Sequence, residues 1–553
     1  MATQRLSGRQ MVLEMLRAEH VTHIFGNPGT SEMPLLDALE AYHDIDYVLA
    51  LHEGVAVGMA DGYARASGRP SFVSLHIDTG LANGISLLAD AADGGTPIVL
   101  SSANKDIRKL CEGRTDLPQM VSQFTKWSAE ATHPEQIPGL MRRAFKEAKT
   151  APTGPTYIGF AANALNEEAS VEIIPSSPAF DRIAPDEQAL ERAAALLSTA
   201  VSPVILVGDR VGQSGACVEV VRVAELLGAD VYATCLGRVN FPTGHPLFKG
   251  ALGQLFPATR RMLSEADIVL AVGTNVFSGF FYFSGRALEG STKLIHIDSA
   301  AQEVAKSEST EIGIVADPKT ALAQLAARLT NALTPAQHKR AGSRLRSARE
   351  QRGARETSQH VPYDASQPMP ARLMMRELAR ALPRGAMLVD DAISSSKDLH
   401  EAFEFGDPDG YQGRGGAAIG WGMGAALGIK LAKPEQVVVA VVGDGSAMMT
   451  IQALCTAAMA RIAVVYVVCN NRSYRVLKQN MRVYKREILH VDRFDSRFIG
   501  MDLPPQCDIA AVARAMGVFA VTIRDAAALG PTLEMAISRN EAVLLDVVID
   551  GSI

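Results

Sequence analysis

Short runs of Val, Ile, Leu and Ala recur along the chain, and segments with helical spacing of apolar residues fill the intervals between them. In the first third, GRQMVLEMLRAE has the spacing of an amphipathic helix, HIFG and YVLAL are short enough to be strands, EGVAVGMADGYARA reads as a helix and SFVSLH as a further strand. Strands that are apolar throughout are buried on both faces, and their alternation with helices predicts a parallel sheet covered by helices. GPTYIGF closes this block. The stretch that follows, NEEASVEIIPSSPAFDRIAPDEQ, is rich in Pro, Ser and acidic residues and reads as a linker.

The same alternation resumes twice. SPVILVGDRV, DVYATC, ADIVLAVG, LIHID and IGIVAD are the strands of a second block with a Rossmann-like arrangement. Its turn GDRVGQSG departs from GxGxxG, so a dinucleotide is not expected there. After GARETSQHVPYDASQPMP, a second linker, AMLVDD, VVVAVVGDG, IAVVYVVCNN and AVLLDVVID supply a third block. The expected fold class is therefore α/β, with three parallel-sheet domains over residues 1–180, 190–345 and 360–553. A chain of 553 residues has length for about three or four domains.

Composition narrows the function classes. With 54 basic against 60 acidic residues, a net charge of -6 and no basic stripe interleaved with aromatics, nucleic-acid binding is not expected. The basic run HKRAGSRLRSAREQRGAR reads as a solvated helix or linker. Six widely spaced cysteines form no CxxC pair, which disfavours zinc sites and disulfides and suits a reducing compartment. The first twenty residues lack the apolar core of a signal peptide and carry Glu14 and Glu19. No run is long and apolar enough to span a bilayer, so a cytoplasmic location is expected.

Ligands of open α/β sheets bind at the carboxyl ends of the strands. Four such ends carry chemistry: GNPGTSE, LHIDTG, GDGSA and CNNRSY. Asp444 ends one strand of the third block and Asn471 the next, one helix and one strand later, which brings two oxygens to one sheet edge. Two hard oxygen donors suit Mg²⁺, which shares its shell with phosphate oxygens. Gly443 and Gly445 let the backbone come close to such a group, and a helix beginning near Ser446 would point its N-terminus at it. A helix-capping Asp and a turn Asn would account for either residue alone.

GDGS followed at this spacing by NN resembles the diphosphate and metal motif of the thiamine-diphosphate-dependent enzymes, in the branch that includes pyruvate decarboxylase and acetolactate synthase. FGNPGTSEMPLLDAL, YVLALHEGVAVGMADGYARASGRPSFVSLH and FPTGHPLFKGALG look like segments of benzoylformate decarboxylases. The resemblance covers essentially the whole chain and implies the domain order pyrimidine-binding, central, diphosphate-binding. It implies that Asp444, the Asn471 side chain and the Ser473 carbonyl bind Mg²⁺, with Gly443, Gly445 and Ser446 lining the diphosphate. Glu53 corresponds to the glutamate that hydrogen-bonds the aminopyrimidine ring and promotes deprotonation of the thiazolium. Ile419 corresponds to the bulky residue that holds the cofactor bent, with small neighbours leaving room for it. Ser394, in DDAISSSKD, is the expected polar contact near the diphosphate and substrate. His76 matches an active-site histidine, and an imidazole suits proton transfer near neutral pH. Thr30 stands where those enzymes carry a serine that contacts the substrate carboxylate.

One departure changes the expected chemistry. Phe280, followed by Phe281, Tyr282 and Phe283, occupies the place of a second histidine of the benzoylformate decarboxylases, so the final protonation loses a proton donor while the pocket becomes apolar. Arg475, Lys478 and Arg482 are candidates for contacting an anionic substrate or, more simply, an exposed helix face, and MRVYKREILHVDRF is a candidate lid loop. The expected activity is non-oxidative decarboxylation of an aromatic or bulky 2-oxo acid. The alternatives are an acetolactate-synthase-like carboligase or a 2-hydroxyacyl lyase, and a cofactor-binding protein without catalysis. FAD is not expected. A homo-oligomer is implied, a dimer of dimers, because active sites of this family lie between subunits.

Overall fold

The computed structural model describes residues 3–177, 182–234, 236–252, 256–277, 279, 281–288, 290–357, 363–364, 367–491, 496–504 and 507–553. They fall into two compact units, one of Met1–Ala179, Tyr363–Phe403 and Gly413–Ile553, the other of Phe180–Pro362 and Glu404–Gln412. The first and third blocks of the sequence thus share one unit.

The first sheet is parallel, in the order β3 (Asp46–Leu49), β2 (His23–Asn27), β4 (Ser71–Leu75), β5 (Ile98–Asn104), β7 (Thr156–Ala161), β6 (Ser128–Ala131). A separate antiparallel pair joins β1 (Gln4–Ser7) to β8 (Glu168–Val171). This corrects the linker reading of NEEASVEIIP: Ala169 and Val171 are buried while Glu168 and Ser170 are exposed, a period-two pattern hidden by the acidic composition around it. Helix α1 (Gly8–Ala18), α2 (Glu53–Ser67) and α3 (Ile77–Asp93) follow the predicted alternation.

The second sheet lies in the other unit and is also parallel, in the order β11 (Phe248–Ala251), β10 (Asp230–Ala233), β9 (Pro203–Val207), β12 (Ile268–Val272), β13 (Lys293–Asp298), β14 (Ile312–Val315). The basic run forms helix α4 (Pro335–Thr357), which takes in the first residues of the expected second linker. Ala341 and Ala348, seven positions apart, are buried, so a narrow stripe docks and the charged remainder of that face stays in water.

The third sheet has the order β16 (Tyr411–Gly413), β15 (Met387–Asp391), β17 (Val438–Gly443), β18 (Val465–Asn470), β20 (Val543–Val548), β19 (Phe519–Ile523). The β15–β17, β17–β18, β18–β20 and β20–β19 pairings are parallel. Strands β11, β16 and β19 are additions to the sequence reading; Phe248, Lys249 and Gly250 are all only half-buried, which gives β11 no apolar run to recognise.

Helix α2 packs against α5 (Trp421–Ala432) through backbone contact. A Cβ on Gly62 would stand 2.1 Å from the Ala425 carbonyl oxygen, and one on Gly428 would stand 1.8 Å from that of Met59. Gly62 and Gly428 therefore serve this helix contact.

Candidate active site

Glu53 is the first residue of α2 and is only 7% exposed. Asn27, at the end of β2, donates from Nδ2 to Glu53 Oε1 at 3.1 Å, and Asn83 on α3 donates from Nδ2 to Oε2 at 3.0 Å. One amide on each oxygen fixes the plane of the carboxylate and leaves each oxygen a further acceptor direction. A Cβ on Gly80 would stand 3.1 Å from Glu53 Oε1, so the glycine keeps the approach to that oxygen open. Asn83 lies seven positions after His76 on one helix, and that interval, which puts the two on one face, is the signal by which it could have been found.

His76 follows β4 and is the N-cap of α3. Its Nδ1 lies 2.7 Å from Ser31 Oγ and 3.2 Å from Glu32 Oε2. Ser31 Oγ donates to Glu32 Oε1 at 2.7 Å, so its lone pair faces the ring and Nδ1 carries the proton. This arrangement leaves Nε2 as the basic ring atom. Glu32 is 2% exposed and also accepts from the backbone N–H groups of Gly29 and Ala103; burial raises its pKa, opposed by these hydrogen bonds and by His76. A Cβ on Gly29 would stand 2.1 Å from His76 Nδ1, so only glycine lets the ring lie there. Thr30 opens the 3₁₀ turn Thr30–Glu32 and is exposed beside this group. Glu32 is a residue that sequence reasoning missed, although the quoted GNPGTSE contains it.

In the third sheet Gly443 pairs with Cys469, which sets Asp444 and Asn471 at neighbouring strand ends. Asp444 is 2% exposed, and burial pushes its pKa up to about 6 against the opposing backbone N–H groups. Its Oδ1 accepts from Gly445 N at 2.7 Å and its Oδ2 from Arg472 N at 2.5 Å. Asn471 Oδ1 accepts from Ser473 N at 2.9 Å, and the buried Ser473 Oγ has no hydrogen-bond partner among the described residues. Among the described residues no cluster of three or more His, Cys, Asp or Glu could hold a metal ion. A metal here would take one carboxylate with amide and carbonyl oxygens, a donor set that suits Mg²⁺ completed by phosphate.

Three details differ from expectation. Helix α6 (Asp444–Met449) begins at Asp444 rather than near Ser446 and is only six residues long. Ser446 Oγ is committed inward, donating to Asp391 Oδ2 at 2.6 Å and accepting from Gly420 N at 2.8 Å. Gly445 is required by a neighbouring ring, since a Cβ would stand 2.5 Å from Tyr474 Cε1, whereas a Cβ on Gly443 would meet nothing closer than 3.7 Å.

Ile419 is half-buried in the segment between β16 and α5, just before Gly420 at φ 95°. Fully buried Asp391, at the end of β15, accepts from the N–H groups of Gly420 and Gly422 at 3.0 Å each and lies 3.1 Å from Arg414 Nε. Burial raises its pKa, opposed first by Arg414. Ser394 is half-buried in the 3₁₀ turn Ile393–Ser395 that follows β15.

The remaining candidates separate. Phe280 lies outside the described residues; Phe281 is half-buried in the second unit and Tyr282 is 87% exposed. Helix α7 (Arg475–Val483) runs into a π-helical turn, Tyr484–Ile488, so much of the expected lid loop is helical. Arg475 donates to the Ser552 carbonyl at 2.8 Å, Arg482 to that of Ile553 at 2.9 Å, and Lys478 pairs with Asp502, which favours a structural role for all three. In the second unit Arg210, after β9, forms a double bond-pair with Asp298 at the end of β13, at 2.7 and 2.8 Å, and reaches Asn275 after β12 at 2.7 Å. That guanidinium spans the strand ends where a dinucleotide would lie.

Comparison with known proteins identifies the family. Three family models match: thiamine pyrophosphate enzyme, N-terminal TPP binding domain, over residues 6–125; central domain, over 190–325; and C-terminal TPP binding domain, over 391–547. The chain is 29% identical over 544 residues to a benzoylformate decarboxylase of Pseudomonas aeruginosa, covering 97% of each. It is 28% identical over 566 residues to a probable acetolactate synthase large subunit of Methanocaldococcus jannaschii, covering 99% of this chain and 92% of that one. Among solved structures, a thiamine diphosphate-dependent 4-hydroxybenzoylformate decarboxylase of Rhodococcus jostii RHA1 superposes with a TM-score of 0.84 at 25% identity, covering 99% of both chains. The α/β strand ends that carry Glu53, His76, Asp444 and Asn471 are thus those of a chain that belongs to the thiamine-diphosphate-dependent enzymes.

Proposed function

We propose that this protein is a thiamine-diphosphate- and Mg²⁺-dependent carboxy-lyase acting on a 2-oxo acid with an aromatic or otherwise bulky side chain. The observation that carries the proposal is the buried Glu53 carboxylate, held by one amide on each oxygen and left open beside Gly80. The likeness to benzoylformate decarboxylase supports the choice of substrate class. Thiamine diphosphate supplies the electron sink that lets a carboxylate leave a carbonyl carbon. The chain's own residues do the rest. Glu53 holds and polarises the aminopyrimidine ring. Asp444, Asn471 and the Ser473 carbonyl hold Mg²⁺, with the backbone of Gly443, Gly445 and Ser446 and the hydroxyl of Ser394 around the diphosphate. Ile419 bears on the cofactor from the loop before α5.

His76 acts through Nε2, because Ser31 and Glu32 hold the proton at Nδ1. Exposed Thr30, on the adjoining turn, orients the substrate carboxylate. By the resemblance to benzoylformate decarboxylases, Phe280 and Phe281 would favour an apolar substrate. The Arg210–Asp298 pair supports a central domain without FAD. Catalysis in a cytoplasmic homo-oligomer, a dimer of dimers, completes the reading.

A second reading, carboligase or 2-hydroxyacyl lyase, is favoured by one observation. Phe280 stands in place of a proton donor, and slower protonation leaves time for a second carbonyl to be attacked. The likeness to acetolactate synthase points the same way. The deciding experiment incubates the protein with thiamine diphosphate, Mg²⁺ and benzoylformate, with and without acetaldehyde, and identifies products by proton NMR. Benzaldehyde supports the first reading, a hydroxyketone without free benzaldehyde the second. Benzoylformate, a panel of other 2-oxo acids and 2-hydroxyacyl substrates all left unchanged would sink both and leave a binding protein.

A further inference from the structure

The loop that carries Ile419 has no sheet or helix hydrogen bonds of its own, yet its backbone is held from two sides by buried carboxylates. Asp391 takes the N–H groups at its far end, Gly420 and Gly422. Asp90, in the last turn of α3 and 1% exposed, takes those at its near end: Gly415 N reaches Oδ2 at 3.1 Å, and Gly416 N and Ala418 N reach Oδ1 at 2.9 and 3.2 Å. The approach is close. A Cβ on Gly416 would stand 2.9 Å from Asp90 Oδ1 and 2.7 Å from Asp93 Oδ2, and one on Gly415 would stand 2.5 Å from Gly94 Cα. Arg414 adds a bond from within the loop to the Gly416 carbonyl at 3.1 Å, and Arg65 donates to the Gly413 carbonyl at 2.7 Å.

We propose that Asp90 is a positioning residue: its carboxylate fixes the backbone of Gly415–Ala418 and so sets where Ile419 stands. Three N–H donors converge on two oxygens, which only a carboxylate satisfies together; an amide would turn its NH₂ toward Gly415 N or toward the other two. Helix α3 thus touches three candidate segments of the chain. It begins at His76, meets Glu53 through Asn83, and ends on the loop of Ile419. The role of Ile419 toward the cofactor rests on the proposed function; the restraint of the loop does not.

The test is amide hydrogen exchange on the full chain without cofactor, comparing wild type, Asp90→Asn and Gly416→Ala, with residues 413–420 read against strand β17. Loss of bonds to a charged acceptor predicts exchange on the order of tenfold faster in 413–420 for both variants, with β17 unchanged. Unchanged exchange in 413–420, or an equal rise in β17, overturns the proposal. Gly416→Ala opens the same contact from the loop side, so the test survives poor folding of Asp90→Asn. Titration with thiamine diphosphate and Mg²⁺, followed by Trp421 fluorescence, separates the two claims. Faster loop exchange with weakened cofactor binding in the variants supports the positioning role, faster exchange with cofactor affinity intact overturns the link to Ile419, and wild type that binds no cofactor overturns the proposed function instead.

Discussion

Asn83 Nδ2 donates to Glu53 Oε2 across 3.0 Å, joining the second turn of one helix to the first residue of another. With Asn27 on the other oxygen, the carboxylate is fixed by two groups that can only donate along these bonds. Glu53→Gln would place an NH₂ against one of the two amides and force one bond to break. Turnover is expected to fall by about 10²–10⁴, the range for loss of a positioned acid–base group. Stability should fall by no more than one hydrogen bond to a carboxylate is worth, about 1.5–3 kcal/mol. Steady-state rates and a melting curve on the same preparation check this, and near-normal turnover would remove Glu53 from the mechanism.

Glu32 presents a different test, because it acts through His76 rather than on the substrate. Glu32→Gln keeps the shape but gives the imidazole a weaker acceptor at Nδ1 and turns an NH₂ toward the donors at Gly29, Ala103 or Ser31. The expected cost is about 1–3 kcal/mol of stability. Turnover should also fall, because the imidazole loses the carboxylate acceptor that holds its proton at Nδ1. Unchanged kcat, with only the melting point lowered, would leave Glu32 a structural residue.

Gly428 tests the packing of α2 against α5. Its Cβ would stand 1.8 Å from the Met59 carbonyl oxygen, a backbone atom that cannot swing aside. Gly428→Ala should therefore destabilise the fold by about 1–3 kcal/mol despite alanine's better helix propensity. Urea unfolding reads the sign directly: a midpoint raised by the substitution would mean that α2 and α5 can move apart at little cost.

Much of this architecture was legible in the chain because both faces of the strands are buried, and apolar runs such as Val438–Val442 cannot be anything but central. Asp444 and Asn471 were marked as candidates by their place at the ends of such runs, and Glu53 by the resemblance to the thiamine-diphosphate-dependent enzymes. Glu32 and Asp90 were not, since their partners lie on other elements and no local spacing marks them as bonded to a ring or a loop. Strand β8 was lost in an acidic, proline-rich stretch whose composition masked two alternating apolar residues.

Asp444 allows the strongest separation of function from stability. Its carboxylate is buried with backbone N–H groups as partners, and the pKa raised to about 6 means that the folded chain disfavours its charge. A residue selected for stability would not be left so; a bound cation would offset the cost. Asp444→Asn removes the charge and retains an oxygen for one of the two backbone donors. Without cofactor, the variant should melt within a few degrees of wild type or above it, because one lost hydrogen bond is offset by the relief of a buried charge. With Mg²⁺ and thiamine diphosphate, the stabilisation seen in wild type should largely vanish, since ligand binding raises stability only in proportion to affinity. Melting curves with and without both ligands read the two effects in one experiment. Equal ligand-induced shifts in the two proteins would mean that Asp444 does not hold the metal, and a large loss of stability in the unliganded variant would make it a structural acid instead.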